Sequence, residues 1–203
     1  MLDYNVAPDC GYPTLLLEAG MAMLYLRREG ERLSLDGSIA ALGFSSGGHL
    51  CACIALLWDD RVLQEAFGEE CAAIRPDAAI LAYAVLSSDP SCWDEETFVN
   101  FCGTEAPYEA YSPERAVRPT APPVFLWATV DDAAVPIENS IRLFRALCRA
   151  GVSAEYHAFE KGEHGLSVCS EEVLRACTPE SEHIRHWLQL SVEFLQAHGF
   201  FAA

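Results

Sequence analysis

Residues 38–50 read SIAALGFSSGGHL. The first seven, Ser38–Phe44, are almost wholly apolar, as a strand buried on both faces requires, and the segment from Ser46 to Trp58 reads as a helix. A strand that runs directly into a helix leaves space for only a sharp bend between them. Residues 43–47 fit G-x-S-x-G, a turn in which a serine stands at the tip and the residues two before and two after are tiny because backbone crowds that position. This requirement separates the adjacent serines. Ser45 has Gly43 and Gly47 at those places, whereas Ser46 would have Phe44 and Gly48, so Ser45 is the candidate nucleophile.

Outward from this turn, strand-like and helix-like segments alternate to both ends. Upstream, Leu2–Val6 reads as a short strand and Pro13–Glu29 as a helix closed by Gly30. Downstream, Asp77–Tyr83 is a strand, and Pro123–Val130 is another, rich in β-branched and aromatic residues. A helix follows with Pro136 in its first turn and Gly151 just past its end. Ile137, Ile141, Phe144 and Cys148 are read as its apolar face, and Arg142, Arg145 and Arg149 as its solvated one. Ala154–Phe159 is a further strand, and Glu182–Ala197 a terminal helix with Ile184, Trp187, Leu188 and Leu195 inward. Repeated β-α-β units predict one α/β domain over residues 1–203, a three-layer α/β/α sandwich around a mostly parallel sheet. An insertion at about 86–122 carries Trp93, Phe98, Phe101, Tyr108 and Tyr111, placed either to line a substrate cleft or to pack as a satellite layer.

The chain has 13 basic and 30 acidic residues, a net charge of −17. Nucleic acid is excluded as a partner, because phosphate binding needs a cationic surface. No window reads as a membrane span. Nine cysteines without a CxxC pair, Cys10, Cys51, Cys53, Cys71, Cys92, Cys102, Cys148, Cys169 and Cys177, read as small core residues rather than zinc or redox ligands. They suit a reducing compartment, and MLDYNVAP has no signal-peptide pattern, so a cytoplasmic protein is expected. His183 and His186 lie three apart but lack a carboxylate or thiol in a ligand pattern, so no metal and no cofactor is expected. His157 and His198 are away from strand-end loops.

In open parallel sheets, active sites gather at the carboxyl ends of strands. After Pro123–Val130 comes Asp131-Asp132-Ala133-Ala134-Val135-Pro136, and after Ala154–Phe159 comes Glu160-Lys161-Gly162-Glu163-His164-Gly165. The order Ser, Asp, His suits a relay in which His164 takes the Ser45 proton and an aspartate orients the imidazole. Glycines flanking Glu163-His164 let that loop carry the ring over the bend. His49, one helical turn beyond Ser45, is read as a packing or hydrogen-bonding residue beneath it rather than a base.

The segments LDYNVAP, GFSSGGHL, FLWATVDDAAVPIENS and FEKGEHGLSV together resemble α/β-hydrolase superfamily esterases of the acetylxylan-esterase type, and are similar to hormone-sensitive-lipase-like carboxylesterases, over nearly the whole chain. The resemblance implies a serine carboxylesterase acting through an acyl-enzyme on a small-molecule or carbohydrate ester, for example an acetylated polysaccharide. It places the triad acid at Asp132, the first position of D-x-x-V-P, with Asp131 and the more distant Asp89 as alternatives. Where the family often has a histidine this chain has Ala128. One oxyanion donor is the backbone N–H of Ser46; the other normally comes from an HGGG-type loop, and this sequence contains none. The resemblance therefore implies a chain that starts inside the domain, without its first strands. On that basis Leu2–Val6 pairs directly with Ser38–Phe44, leaves a gap, or detaches. A five-stranded sheet is expected, with an exposed edge through which copies of the chain could associate. Two other readings stand beside this one: a catalytically impaired fragment or non-catalytic interaction domain, and a peptidase or thioesterase on the same scaffold.

Overall fold

Segments rich in alanine, valine, leucine and aromatic residues, able to be buried on both faces, become the sheet. In the computed structural model, which describes residues 1–35, 37–104, 107–174 and 178–201, these are β1 (Ala40–Phe44), β2 (Ala78–Ala82), β3 (Val124–Thr129) and β4 (Ala154–Phe159). All are parallel, in the order β1-β2-β3-β4, with Phe44 beside Ala82, Ala82 beside Trp127 and Thr129 beside Phe159. Every residue of β2 and β3 is buried, as the central strands of a covered parallel sheet must be.

The helices are α1 (Thr14–Arg28), α2 (Ser45–Leu56), α3 (Arg61–Phe67), α4 (Glu95–Cys102), α5 (Glu138–Ala150), α6 (Pro179–Ile184) and α7 (Trp187–Ala197). Alternation along the strands assigns them to layers. Ile80, Phe125 and Trp127 face Trp187, Phe194 and Leu195 of α7, while Ala79, Leu81, Val124 and Leu126 face Ala52 and Ala55 of α2 and Leu143 and Leu147 of α5. Outside α2, a further apolar layer joins α1 and α3 through Leu16, Met23, Ile54 and Leu63. The three-layer α/β/α sandwich read from the sequence is the fold found.

Three expectations need correction. Among the described residues the sheet has four strands, not five: Leu2–Val6 forms no strand, since a strand exists only by pairing and no neighbour lies beside it. That segment is instead tied to α1, where the Asn5 N–H donates to Glu18 Oε2 at 3.0 Å. The sheet, expected to be mostly parallel, is parallel throughout, in agreement with the sequence. The terminal helix is divided at Arg185-His186 into α6, which begins with a capping box between Thr178 and Ser181, and α7. Finally, the buried stripe of α5 is Asn139, Ser140, Leu143 and Leu147, and Cys148 is exposed. Its stop signal was legible: Gly151 closes α5 at φ 70°.

The order leaves β1 at an edge of the sheet, with Leu42 48% exposed. Of the eight cysteines described, five are buried and none is in a disulfide; Cys177 lies outside the described residues. The insertion after β2 is mostly a packing layer. Phe98, with Trp93 and Tyr108, packs on Val85 and Val135, and Phe101 and Tyr111 join the cluster under α1.

The buried side chain that ties this insertion down is polar. Asn139, wholly buried, accepts from the Leu86 and Ser87 N–H groups at 2.8 and 3.0 Å through Oδ1. Its Nδ2 donates to the Cys92 and Pro136 carbonyls at 2.7 and 3.1 Å. One amide thus satisfies backbone groups of the loop after β2 and of the turn before α5. Replacing Asn139 by alanine strands several buried groups and is expected to cost about 2–4 kcal/mol, whereas Cys148→Ser at an exposed site should stay within about 0.5 kcal/mol. Urea unfolding followed by circular dichroism measures both.

Candidate active site

β1 ends at Phe44 and α2 starts at Ser45, so the whole change of direction falls on one residue. Ser45 takes it at φ 51°, in the left-handed region that costs a non-glycine residue roughly 1–2 kcal/mol. The glycines around it are explained unequally. A Cβ on Gly43 would run into the Gly47 carbonyl and come within 2.7 Å of the Cys51 Cβ; one on Gly48 would collide with Ala84. At Gly47 the nearest atom is the Tyr4 hydroxyl at 3.6 Å, an ordinary contact. The steric demand thus rests on Gly43 and Gly48, not on the Gly43–Gly47 pair of the motif.

The bend turns the Ser45 side chain toward the strand-end loops. Its Oγ lies 2.8 Å from His164 Nε2, and His164 Nδ1 lies 2.7 Å from Asp132 Oδ2. A carboxylate only accepts, so Nδ1 carries the hydrogen and Nε2 is left bare to accept from the Ser45 hydroxyl. Asp132 is buried, and its other oxygen accepts from the Ala134 and Val135 N–H groups at 2.8 and 2.9 Å. Burial works to raise the Asp132 carboxyl, but the bonds from His164 and these two amides outweigh it and hold the group below its ordinary value. Nothing caps α2 at Phe44, so the amides of its first turn, Ser46 among them, are free for a negatively charged oxygen at the site.

The other acids considered go elsewhere. Asp131 Oδ1 accepts from the Gly162 N–H at 2.7 Å, which anchors the loop before His164 without touching the ring. Asp89 is bonded to Ser91 and paired with Arg142 at 2.7 Å; the Ser91 bonds first, then the guanidinium, push its carboxyl down to about 2. Among the described residues no group of three or more His, Cys, Asp or Glu is placed to hold a metal ion; the His183 and His186 rings meet edge to face at 5.8 Å, and His186 Nδ1 is turned to the His183 carbonyl at 2.9 Å.

Two supporting residues surround the relay. Tyr83, just past β2 and also left-handed at φ 38°, sets its ring edge to face against His164 at 4.9 Å, and its hydroxyl accepts from the Ser167 N–H at 2.9 Å. Sequence reasoning missed Tyr83; the available signal was its place one residue beyond a buried strand. His49 behaves as expected from sequence. It is 1% exposed, its Nδ1 donates to the Val85 carbonyl at 3.0 Å, and the Cys53 thiol is 3.5 Å from Nε2. The Val85 N–H in turn donates to the Ser45 carbonyl at 3.3 Å, so His49 braces the bend from below.

Ser45, Ser46 and His164 open into a cavity of about 300 Å³. Leu15, Leu50, Val85, Phe101 and Val135, all buried, line it alongside Glu96 and Asn100, which are exposed.

The sequence pattern of the prolyl oligopeptidase family matches residues 22–198. Endo-1,4-beta-xylanase B of Butyrivibrio fibrisolvens is 30% identical over 162 residues, 77% of this chain and 25% of that protein. An acetylxylan esterase of Xylanibacter ruminicola is 30% identical over 135 residues, 63% of this chain and 26% of that protein. The chain thus spans about a quarter of the length of the curated relatives it matches. Among solved structures, an acetyl ester-xyloside bifunctional hydrolase from Caldicellulosiruptor lactoaceticus superposes with a TM-score of 0.83 at 30% identity, covering 99% of this chain and 71% of that one.

Burial pushes the His49 imidazole down to about 4, against about 6.5 in the unfolded chain, with the Val85 carbonyl opposing part of the shift. Between those values the unfolded state binds the additional proton, so stability falls as the pH falls through this window. Between pH 7 and 5 the expected loss from this group is about 2 kcal/mol. Urea titrations at the two pH values should show it in the parent protein and a flatter response in His49→Leu.

Proposed function

The chain belongs to the prolyl oligopeptidase family, and from that premise we propose that it is a serine ester hydrolase releasing small acyl groups through a Ser45–His164–Asp132 relay. The observation that carries this reading is the unbroken pair of hydrogen bonds, 2.8 Å from Ser45 to His164 and 2.7 Å from His164 to Asp132.

In this mechanism Ser45 Oγ attacks the ester carbonyl while its proton passes to His164 Nε2. Asp132, already hydrogen-bonded at Nδ1, stabilises the imidazolium without taking its proton. The carbonyl oxygen becomes an oxyanion received by the Ser46 N–H at the uncapped end of α2. Collapse of the tetrahedral intermediate breaks the ester C–O bond, and His164 returns the proton to the departing alkoxide, leaving an acyl group on Ser45. Water, deprotonated by the same imidazole, attacks the acyl carbon and restores the serine. The α/β-hydrolase scaffold supports ester and amide chemistry alike, so the substrate class comes from elsewhere. The names of the acetylxylan esterase and of the acetyl ester-xyloside hydrolase favour an O-acetyl group on a sugar. A cavity of about 300 Å³ suits a short acyl chain.

A fluorophosphonate probe should label Ser45, and Ser45→Ala should lower hydrolysis of 4-nitrophenyl acetate by about 10³-fold or more. Asp132→Asn should cost about 10²–10⁴-fold in kcat, because the amide imposes the wrong tautomer; Asp131→Asn should cost far less. Absence of labelling, with the esters and a proline-containing peptide substrate all left intact, would falsify the hydrolytic reading.

A further inference from the structure

One wall of the cavity that holds Ser45 and His164 is the start of α4: Asp94, Glu96, Thr97 and Asn100 line it. A helix beginning there would normally offer free N–H groups and a partial positive charge to an anion. Here that offer is withdrawn. Asp94 Oδ1 accepts from the Thr97 N–H at 2.8 Å, and Glu95 and Glu96 follow in the first turn. No lysine or arginine is among the described residues lining the cavity. Of the histidines on its wall, His49 is held neutral by burial and bonded to Val85, and His164 is committed to Asp132 and Ser45. The free positive end that remains belongs to α2, beside the serine, where it serves the oxyanion. Glu96 is the exposed carboxylate among the described lining residues, whereas Leu50, Val85 and Val135, which line the same cavity, are buried and apolar.

We propose that Glu96 acts as a charge filter, so that the site takes esters that are neutral or cationic near the reacting bond and turns away those carrying a carboxylate, sulfate or phosphate there. The inference rests on the ester-hydrolase reading and specifies its substrate class. A like charge a few ångströms away across a wet rim weakens binding by a factor of about 3–10, and the rest of the acidic surface, at a net −17, adds to it at low salt.

The test compares matched pairs in the intact protein. One pair varies charge on the acyl side, 4-nitrophenyl heptanoate against mono-4-nitrophenyl adipate. The other varies it on the alcohol side, methyl 3-acetoxybenzoate against 3-acetoxybenzoate. The quantity read is the ratio of kcat/KM for the anionic over the neutral member, with the neutral member reporting that each variant is folded. In at least one pair the anionic ester should be disfavoured about tenfold at low salt, less so at high salt. Glu96→Gln should raise the ratio about threefold and Glu96→Lys should bring it to one or beyond. Ratios near one in the parent protein, or ratios that the Glu96 variants do not move, overturn the filter alone. Failure to cleave any of the four esters instead refutes the hydrolytic reading beneath it.

Discussion

The constraint on which everything else depends is the absence of a loop between β1 and α2. Phe44 is still paired in the sheet and Ser45 is already the first residue of the helix. Reversing from strand to helix within one residue forces the left-handed backbone at Ser45. It also presses the first turn of α2 so close to the strand that Gly43 and Gly48 have no space for a side chain. The same compression points the uncapped N-terminus of α2 and the serine hydroxyl into one cavity. The placement of the serine hydroxyl beside the uncapped helix end thus comes from a single steric fact.

The parallel sheet then supplies partners without further specification. Because all strands run the same way, the segments after β1, β3 and β4 emerge on one edge, and Asp132 and His164 need only short loops to reach Ser45. Their order in the sequence matters less than their equivalent places at strand ends, which is why residues 119 positions apart hold a bond of 2.8 Å.

What could be read from the sequence follows from what is local. β1, β2 and β3 have near-continuous apolar segments, Gly151 announces the end of α5, and G-x-S-x-G announces the bend. The hydrogen-bonded set Ser45, His164 and Asp132 could be picked out because each member sits beside a recognisable strand. The choice of Asp132 over Asp131 came from the resemblance; in the structure Asp132 is buried against His164, while Asp131 holds the Gly162 amide and lies within 3.6 Å of Lys161. Leu2–Val6 was misread because strand-like composition says nothing of whether a neighbour exists to pair with. The stripe of α5 was misread because a buried asparagine looks polar in sequence; only the loop amides it satisfies explain its burial. Tyr83 was passed over for a related reason, its contacts reaching across more than eighty residues of chain.

Tyr83 also shows how strain is distributed. Among the described residues, six non-glycine positions have positive φ: Ser34, Ser45, Tyr83, Ser167, Cys169 and Phe201. Ser45, Tyr83 and Ser167 are joined through the relay, since Ser45 bonds His164, Tyr83 packs on His164, and Ser167 donates to Tyr83; Cys169 follows in the same loop. Ser45 and Tyr83 even occupy equivalent places, each one residue beyond the paired Phe44 and Ala82 of adjacent strands. Each such conformation costs of order 1–3 kcal/mol and persists only where its surroundings over-determine it. Those surroundings are the least yielding part of the molecule, the wholly buried β2 and β3 and the Trp127–Trp187 stack at 5.3 Å behind them. The strain therefore marks where rigid packing is used to hold side chains in positions that local backbone preference opposes. A relaxed backbone at Ser45 or Tyr83 would lose the alignment.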